Sequence, residues 1–410
     1  MSAASKGQRV LLLVPPITYR ATDFVLAAKR LELDVVIGSN GALPLGGTPV
    51  VTVDPTDPAG SVRRLLSTVG PVDAVVAVDS DMLPLAAELG AALKLAGNAP
   101  DAVAAAADKA IQRRLWLGAG VAQPRFQVIA ADADACSVLA AARSLGFPSV
   151  AKPVSLSASR GVLRADDDAG LGRAVAEIRA ILAEKGDREA ILLEEYVPGW
   201  ELSIDGLLSA GCLAVTAIFD KPDAPDGPTF EETLLVTPSR LPSATLAAAT
   251  RLAQQAAQAL GLRCGPIHAE LRIDRRAGAA RPVMLELAAR SIGGLCSRSL
   301  RFPGGVSLEM MILLNALGAD IDFTLPPGAA GVLMLPVERG GVLQGVEGQA
   351  DAHAIAGITG LSITIQIGQT VRPLPWGDRY LGFIFAEGDE AGEVETVLRR
   401  ARDRLRIVIA

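Results

Sequence analysis

Two apolar runs, Ile267–Ile273 and Val283–Ala289, are joined by Asp274-Arg275-Arg276-Ala277-Gly278-Ala279-Ala280-Arg281-Pro282, and no other feature constrains the fold as tightly. The connection is rich in turn residues, so the pair predicts a β-hairpin. Symmetry about Gly278 sets Glu270 directly across from Glu286. Alternation then puts Ile267, Ala269, Leu271, Ile273, Val283, Leu285, Leu287 and Ala289 on a core face. His268, Glu270, Arg272, Met284, Glu286, Ala288 and, past the strand, Arg290 fall on the other. Two opposed carboxylates roughly 5 Å apart repel unless a cation lies between them. Hard oxygen donors with an arginine beside them suit magnesium holding a phosphate-bearing substrate. A solvent-facing hairpin balanced by Arg272 is the competing reading.

A chain of 410 residues, half of them hydrophobic and a fifth charged, is expected to fold as a globular protein of two to four domains or subdomains. Its net charge of -6 argues against broad binding to nucleic acid or to an anionic membrane. Cys136, Cys212, Cys264 and Cys296 are far apart and form no CxxC pair, which fits a reducing cytoplasm. His268 and His353 are the only histidines, so a multi-histidine metal site is excluded. The segment Met1-Ser2-Ala3-Ala4-Ser5-Lys6-Gly7 leads into a short apolar run ending at Pro15-Pro16, without a secretory cleavage pattern. No run reaches the roughly 20 apolar residues that span a bilayer. The expected location is the cytoplasm.

Short β-rich runs, Val10–Val14, Asp34–Gly38, Val50–Val53 and Ala74–Val78, alternate with helix-compatible Asp23–Leu31, Ser61–Val69 and Leu83–Leu95. This alternation predicts a parallel α/β domain over residues 1–97. Pro15-Pro16-Ile17-Thr18 follows the first strand in place of a GxGxxG turn, and no GxxxxGK[ST] loop occurs anywhere. Asp101–Gly118 reads as one helix carrying Asp108-Lys109. Strands are expected at Pro148–Pro153, Ile191–Val197, Glu201–Leu208 and Leu213–Phe219, and helices at Leu171–Lys185, Ala244–Leu260 and Leu308–Leu317. The span from Asp220 to Leu241, with Lys221-Pro222-Asp223-Ala224-Pro225-Asp226-Gly227-Pro228, reads as a mobile surface connection. Pro326-Pro327-Gly328 marks the last boundary, before β runs at Gly331–Pro336, Leu361–Ile367 and Tyr380–Ala386 and a helix at Glu393–Leu405.

Lys152 ends a strand-like run just before the small-residue loop Ser155–Gly161. A lysine neutralises phosphate oxygens, and such a loop brings hydroxyls and backbone N–H groups close to them. A plain surface turn is the alternative. Leu192-Leu193-Glu194-Glu195-Tyr196-Val197-Pro198-Gly199-Trp200-Glu201 ends a strand in two acids and restarts it with a third. Such a strand end can meet an adenine edge, with a following carboxylate on the ribose hydroxyls, or carry solvated charges.

In order, the helical lysine, strand lysine, small-residue loop, acidic pair, downstream glutamate and two-carboxylate hairpin resemble the ATP-grasp superfamily from about Leu11 to Gly318. The resemblance is closest to the carboxylate–amine ligase branch that includes bacterial L-amino acid ligases and carnosine synthase. Leu285-Glu286-Leu287-Ala288-Ala289-Arg290-Ser291-Ile292-Gly293-Gly294 looks like that branch's signature. The fold class implied is a multidomain α/β and α+β protein. An N-terminal parallel α/β domain (1–97) would precede an ATP-grasp domain (98–328, with subdomains about 98–190 and 191–328) and a C-terminal β-rich domain (329–410).

The resemblance implies that Lys109 and Lys152 contact ATP phosphates, with the loop carrying Ser157, Ser159 and Gly161 closing over them. Glu194, Glu195 and Val197 would meet adenine, and Glu201 would hold the ribose. Glu270 and Glu286 would bind magnesium, with manganese as a substitute, and Arg290 would neutralise the carboxylate or acyl phosphate. Ala288 stands where many members carry an asparagine ligand. Glu232 matches an acid near the substrate amine, whereas Leu235 occupies the position of an accompanying histidine. The implied reaction joins a small carboxylate to an amine through an acyl phosphate, in a homodimer. Other ATP-grasp chemistry, a biotin-carboxylase-like or nucleotide-precursor ligase reaction, and an inactive nucleotide-binding regulator are the alternatives. His268 is expected to support Glu270, Cys296 to be buried, and Trp376 and Tyr380 to pack. Arg298 and Arg301 are read either as substrate-carboxylate ligands or as surface residues.

Overall fold

The first sheet forms because its central strand is apolar on both faces. Val10, Leu11, Leu12 and Leu13 are all buried, the pattern of a parallel strand covered on both sides. In the computed structural model, which describes residues 7–41, 50–223, 225–276, 278–325 and 327–410, four parallel strands run in the order Val50–Thr52, Asp34–Ser39, Arg9–Leu13, Ala74–Ala77. Met1–Lys6, Ala224, Ala277 of the hairpin turn and Pro326 of the expected boundary lie outside the described residues. Leu11 and Leu13 pack with Leu65, Leu85 and Leu89, from helices Pro58–Thr68 and Leu83–Leu93. Val10 and Leu12 pack with Phe24 from helix Ala21–Arg30, and with Leu308, Met311 and Ile312 from helix Leu308–Ala316. A helix distant in sequence therefore seals this face. Its residues Leu308 to Leu313 are buried almost throughout, as befits a helix wedged between two layers.

The expected single helix Asp101–Gly118 is two, Pro100–Ala107 and Lys109–Gly118. Asp108 is extended at the break (φ -114°, ψ 112°), and its carboxylate accepts the Ile111 N–H at 2.9 Å. Aspartate favours this capping role over a helix interior. Its consequence is that Lys109 opens a helix.

A second sheet, antiparallel, has the order Phe126–Ile129, Ile191–Glu195, Ser149–Pro153, Leu163–Ala165. Helices Ala135–Leu145 and Asp168–Glu184 cover one of its faces. The largest sheet has eight strands, ordered Arg281–Ala288, Gly265–Asp274, Trp200–Ser209, Cys212–Lys221, Leu234–Thr237, Ala329–Leu335, Gly382–Gly388, Ile358–Ile363. Leu234–Thr237 lies within the expected surface connection, yet it pairs with both Cys212–Lys221 and Ala329–Leu335. Lys221 likewise closes a strand and is buried, and Asp223 is held by Arg399 at 2.6 and 2.9 Å. The apolar Leu234, Leu235 and Val236 explain the difference: all three enter the core. A small sheet of Thr370–Val371, Gly341–Glu347 and Arg406–Ile409 completes the C-terminal part.

Candidate active site

The hairpin pairs His268 with Ala288 and Glu270 with Glu286, the expected opposition, although toward the turn the strands are offset by one residue from symmetry about Gly278, with Asp274 facing Arg281. Beyond that point the register shifts, and Leu271 faces Met284. Leu285 is the extra residue of a β-bulge, a device that re-aims side chains beside functional sites. The expected faces of Met284 and Leu285 are therefore exchanged: Met284 is fully buried in the core, and Leu285 lines the cleft. The Leu285 carbonyl accepts Arg113 Nη2 at 2.6 Å.

A cleft of about 870 Å³ opens where the three sheets meet. Lys109, Lys152, Ser157, Ser159, Glu194, Glu195, Val197, Glu201, Glu232, Glu270, Glu286 and Arg290 all line it. Gly161 is set back. Its φ is +73° and its N–H donates to the Pro375 carbonyl at 3.0 Å. Within the loop Ala158 and Ser159 are both left-handed (φ 56° and 55°), a strained conformation for residues with a Cβ and one concentrated at functional loops.

Charged side chains are knitted across the cleft. Lys109 Nζ donates to the Leu156 carbonyl at 2.6 Å and lies 3.2 Å from Glu286. Lys152 Nζ is 2.6 Å from Glu194, which also takes a short contact from Arg113 Nε. Burial alone would raise the Glu194 carboxyl, but Arg113 and Lys152 outweigh it and hold it below the usual range. The Glu194 side chain thus orients a lysine, and the Glu195 side chain turns aside to Arg125 at 2.9 Å. Both oxygens of Glu201 are engaged, by Lys221 at 3.0 Å and Arg272 at 2.7 Å.

Lys221 is the residue that sequence reasoning missed. Its ammonium touches Glu232, sits 3.0 Å from Glu201 and is 3.8 Å from Glu270. These three acids each present an oxygen within 4.8 Å of the others, a grouping that could hold an ion, but Lys221 lies inside it. Burial opposes the Lys221 charge, yet Glu232, Glu270 and Glu201 hold its pKa well above the ordinary value. Lys221 faces Glu201 across the hairpin joining Trp200–Ser209 to Cys212–Lys221, but a register shift between Val215 and Ala217 hides the pair, since symmetry about that turn would have set Glu201 against Asp220.

His268 supports Glu270, as expected: Nε2 is 3.3 Å from Glu270, and Nδ1 is 3.1 Å from Asp205. Burial disfavours the charged ring, but Asp205 and Glu270 raise its pKa to about 9. Burial would raise the Glu270 carboxyl, whereas Lys221 and His268 lower it far more. Glu232 is raised, by burial first and then by Glu270, against the pull of Lys221. Arg298 pairs with Asp23 at 2.9 and 3.0 Å, and neither it nor Arg301 lines the cleft. Tyr380 lines the cleft as well as packing on Phe383, with ring centroids 6.1 Å apart. Cys296 is buried.

Glu270 and Glu286 are adjacent, partly exposed hard donors at the cleft wall. They suit a magnesium ion whose remaining positions come from phosphate oxygens and water. Ala288 supplies no third ligand. Among the described residues no helix is long and apolar enough to cross a membrane.

Comparison with known proteins agrees with this architecture. Residues 145–299 match the ATP-grasp domain family, and residues 333–410 match L-amino acid ligase C-terminal domain 2. The crystal structure of an L-amino acid ligase from Bacillus licheniformis superposes with a TM-score of 0.81 at 25% identity, covering 99% of this chain and 100% of that one. A D-alanine–D-alanine ligase of Cupriavidus metallidurans is 25% identical across 75% of this chain and 94% of its own length. Carnosine synthase 1 of Gallus gallus is 34% identical over 50% of this chain, a match spanning 23% of that protein's length. Sheet topology, cleft and family matches together define an ATP-grasp enzyme. The chain is similar to ligases that form C–N bonds, and carries an ATP-grasp domain and L-amino acid ligase C-terminal domain 2.

Proposed function

We propose that this protein phosphorylates a small carboxylate with ATP and joins the acyl phosphate to an amine, releasing ADP and phosphate. One observation carries the reading: the paired Glu270 and Glu286, the lysines Lys109 and Lys152, and Arg290 converge on a single cleft. A carboxylate oxygen attacks the γ-phosphorus, and the bond to the ADP oxygen breaks. That attack sets anion against anion, which Lys109, Lys152 and Arg290 offset. A magnesium ion held by Glu270 and Glu286 would supply further neutralisation of the phosphate oxygens. The amine nitrogen then attacks the acyl carbon and phosphate departs. Glu232, whose raised pKa suits a proton acceptor, takes the proton from the amine. Val197 and the Glu195 backbone would meet adenine, and Glu201 the ribose. Acyl phosphate hydrolyses in water, so the loop bearing Ser157, Ser159 and Gly161 closes over it.

The division into residues 1–97, 98–328 and 329–410 is part of the proposal, as are small-molecule substrates, a cytoplasmic location and a homodimer. Composition supports the location, and resemblance supports the dimer. The test is an ADP-release screen of the purified protein against amino acids and small acids, singly and in pairs, with mass spectrometry of products. An amide formed in step with ADP is the expected result. ADP release without any amide overturns the reading.

A further inference from the structure

The sheet that carries Lys152 shares no strand pairing with the other sheets, since its four strands pair only with one another. Loops and side chains therefore have to set where the loop 155–161 sits relative to Glu270 and Glu286. The apolar core of this layer is drawn from residues 129–193, and among the described residues one contributor comes from elsewhere in the chain. It is Trp376, from the C-terminal domain.

Trp376 ends the segment Arg372-Pro373-Leu374-Pro375-Trp376, whose base is fixed in the C-terminal domain. Val371 is buried there, and Thr370–Val371 pairs with Gly341 and Val342. A tight turn follows, in which the Trp376 and Gly377 N–H groups donate to the Pro373 carbonyl at 3.1 and 2.8 Å. A Cβ at Gly377 would lie 2.1 Å from the Arg372 carbonyl oxygen, so the turn requires glycine. The segment then grips helix Asp168–Glu184 at two points: the Trp376 indole N–H donates to Glu177 at 3.0 Å, and Arg372 forks onto Glu184 at 3.0 and 3.2 Å. Glu177 and Glu184 are seven residues apart and so share one face of the helix. The Arg372 guanidinium stacks on Trp376, 4.7 Å from the ring centroid, which leaves ring and fork little freedom to move separately.

The same segment reaches the loop itself. The Pro375 carbonyl accepts the Gly161 N–H at 3.0 Å, and Glu184, besides holding Arg372, lies 3.6 Å from the buried Arg160. Leu156, near the start of the loop, packs into the core that Trp376 enters. Yet neither Arg372 nor Trp376 lines the cleft. We propose that Arg372 and Trp376 are positioning residues for the loop 155–161, through which the C-terminal domain sets nucleotide affinity without touching the nucleotide. A loop that is held in place in only a fraction of molecules weakens apparent binding by that fraction. The effect on affinity rests on the proposed nucleotide site; the bracing of the loop does not.

Calorimetric titration of the full chain with Mg·ADP, alongside hydrogen exchange of the nucleotide-free protein, tests it. Trp376→Ala is expected to raise the Kd roughly 10-fold, the scale of one hydrogen bond with its packing, and to speed exchange at residues 155–161. Trp376→Phe keeps a ring without the N–H and is expected to stay within about threefold of the parent. In turnover the loss is expected in the KM for ATP, with kcat at saturating ATP within about twofold of the parent. Should Trp376→Ala fail to fold, Arg372→Glu acts on a half-exposed pair. It is expected to raise the Kd about 3- to 10-fold at low ionic strength and by less at about 1 M salt, with Arg372→Lys close to the parent. Unchanged Kd in Trp376→Ala and Arg372→Glu, while the parent binds Mg·ADP, overturns this proposal alone. No saturable Mg·ADP binding by the parent overturns the nucleotide site, and the affinity claim with it.

Discussion

Lys221 holds the acidic side of the cleft together, because three carboxylates share its one ammonium group. Lys221→Met removes the cation beside Glu232 and leaves Glu201 and Glu270 to Arg272 and His268 alone, and urea unfolding at pH 7 should show a loss of about 3–5 kcal/mol. Lowering the pH should restore part of it, since protonation removes the repulsion. Arg290→Ala should leave the fold intact and lower turnover by about 100- to 1000-fold in the ADP-release assay, the scale of one charge-stabilising donor. Near-normal turnover removes Arg290 from the chemistry. Glu231 gives a pH prediction of opposite sign to an ordinary ion-paired acid. Burial, aided by Glu338, raises its pKa to about 7 against the hydrogen bond from Val337. A folded pKa above the unfolded one gives stability that is present in full below about pH 4.5 and is lost as pH rises through 7. Glu231→Gln should therefore be about 1–2 kcal/mol more stable than the parent at pH 8, after discount for partial exposure, and no more stable at pH 4.

Elements matter here through their ends. Asp108 separates two helices and presents Lys109 at the start of the second. Asp108→Ala should cost about 1 kcal/mol by thermal unfolding and raise the KM for ATP, since Lys109 loses its fixed starting point. A variant with unchanged KM would show that the cap serves stability alone. The helix break was invisible in a run of alanines that favours helix throughout. Symmetry about Gly278 is not what opposes Glu270 and Glu286, since the turn end pairs Asp274 with Arg281; only their placement on facing strands was legible. The bulge at Leu285 was not, since an extra residue leaves no mark in an alternating apolar run. Leu234–Thr237 was hidden by its brevity and its proline-rich approach, and its assignment depends on a partner strand almost a hundred residues later.

Across the whole molecule, one eight-stranded sheet carries the carboxylate hairpin at one end and C-terminal strands at the other. The lysine-bearing sheet and the N-terminal sheet close the cleft on its remaining sides. Nucleotide should therefore bind between layers. At about a hundred times its Kd, Mg·ADP should stabilise the protein by roughly 2.7 kcal/mol, with slowed hydrogen exchange in residues 155–161. Stabilisation without that protection would place the nucleotide elsewhere. The chemistry has a more direct test. Turnover with amino acids labelled with oxygen-18 in their carboxylates, followed by phosphorus NMR of the released phosphate, reports whether a carboxylate oxygen ever joined phosphorus. The account predicts labelled inorganic phosphate in step with ADP; ADP accompanied only by unlabelled phosphate would contradict it.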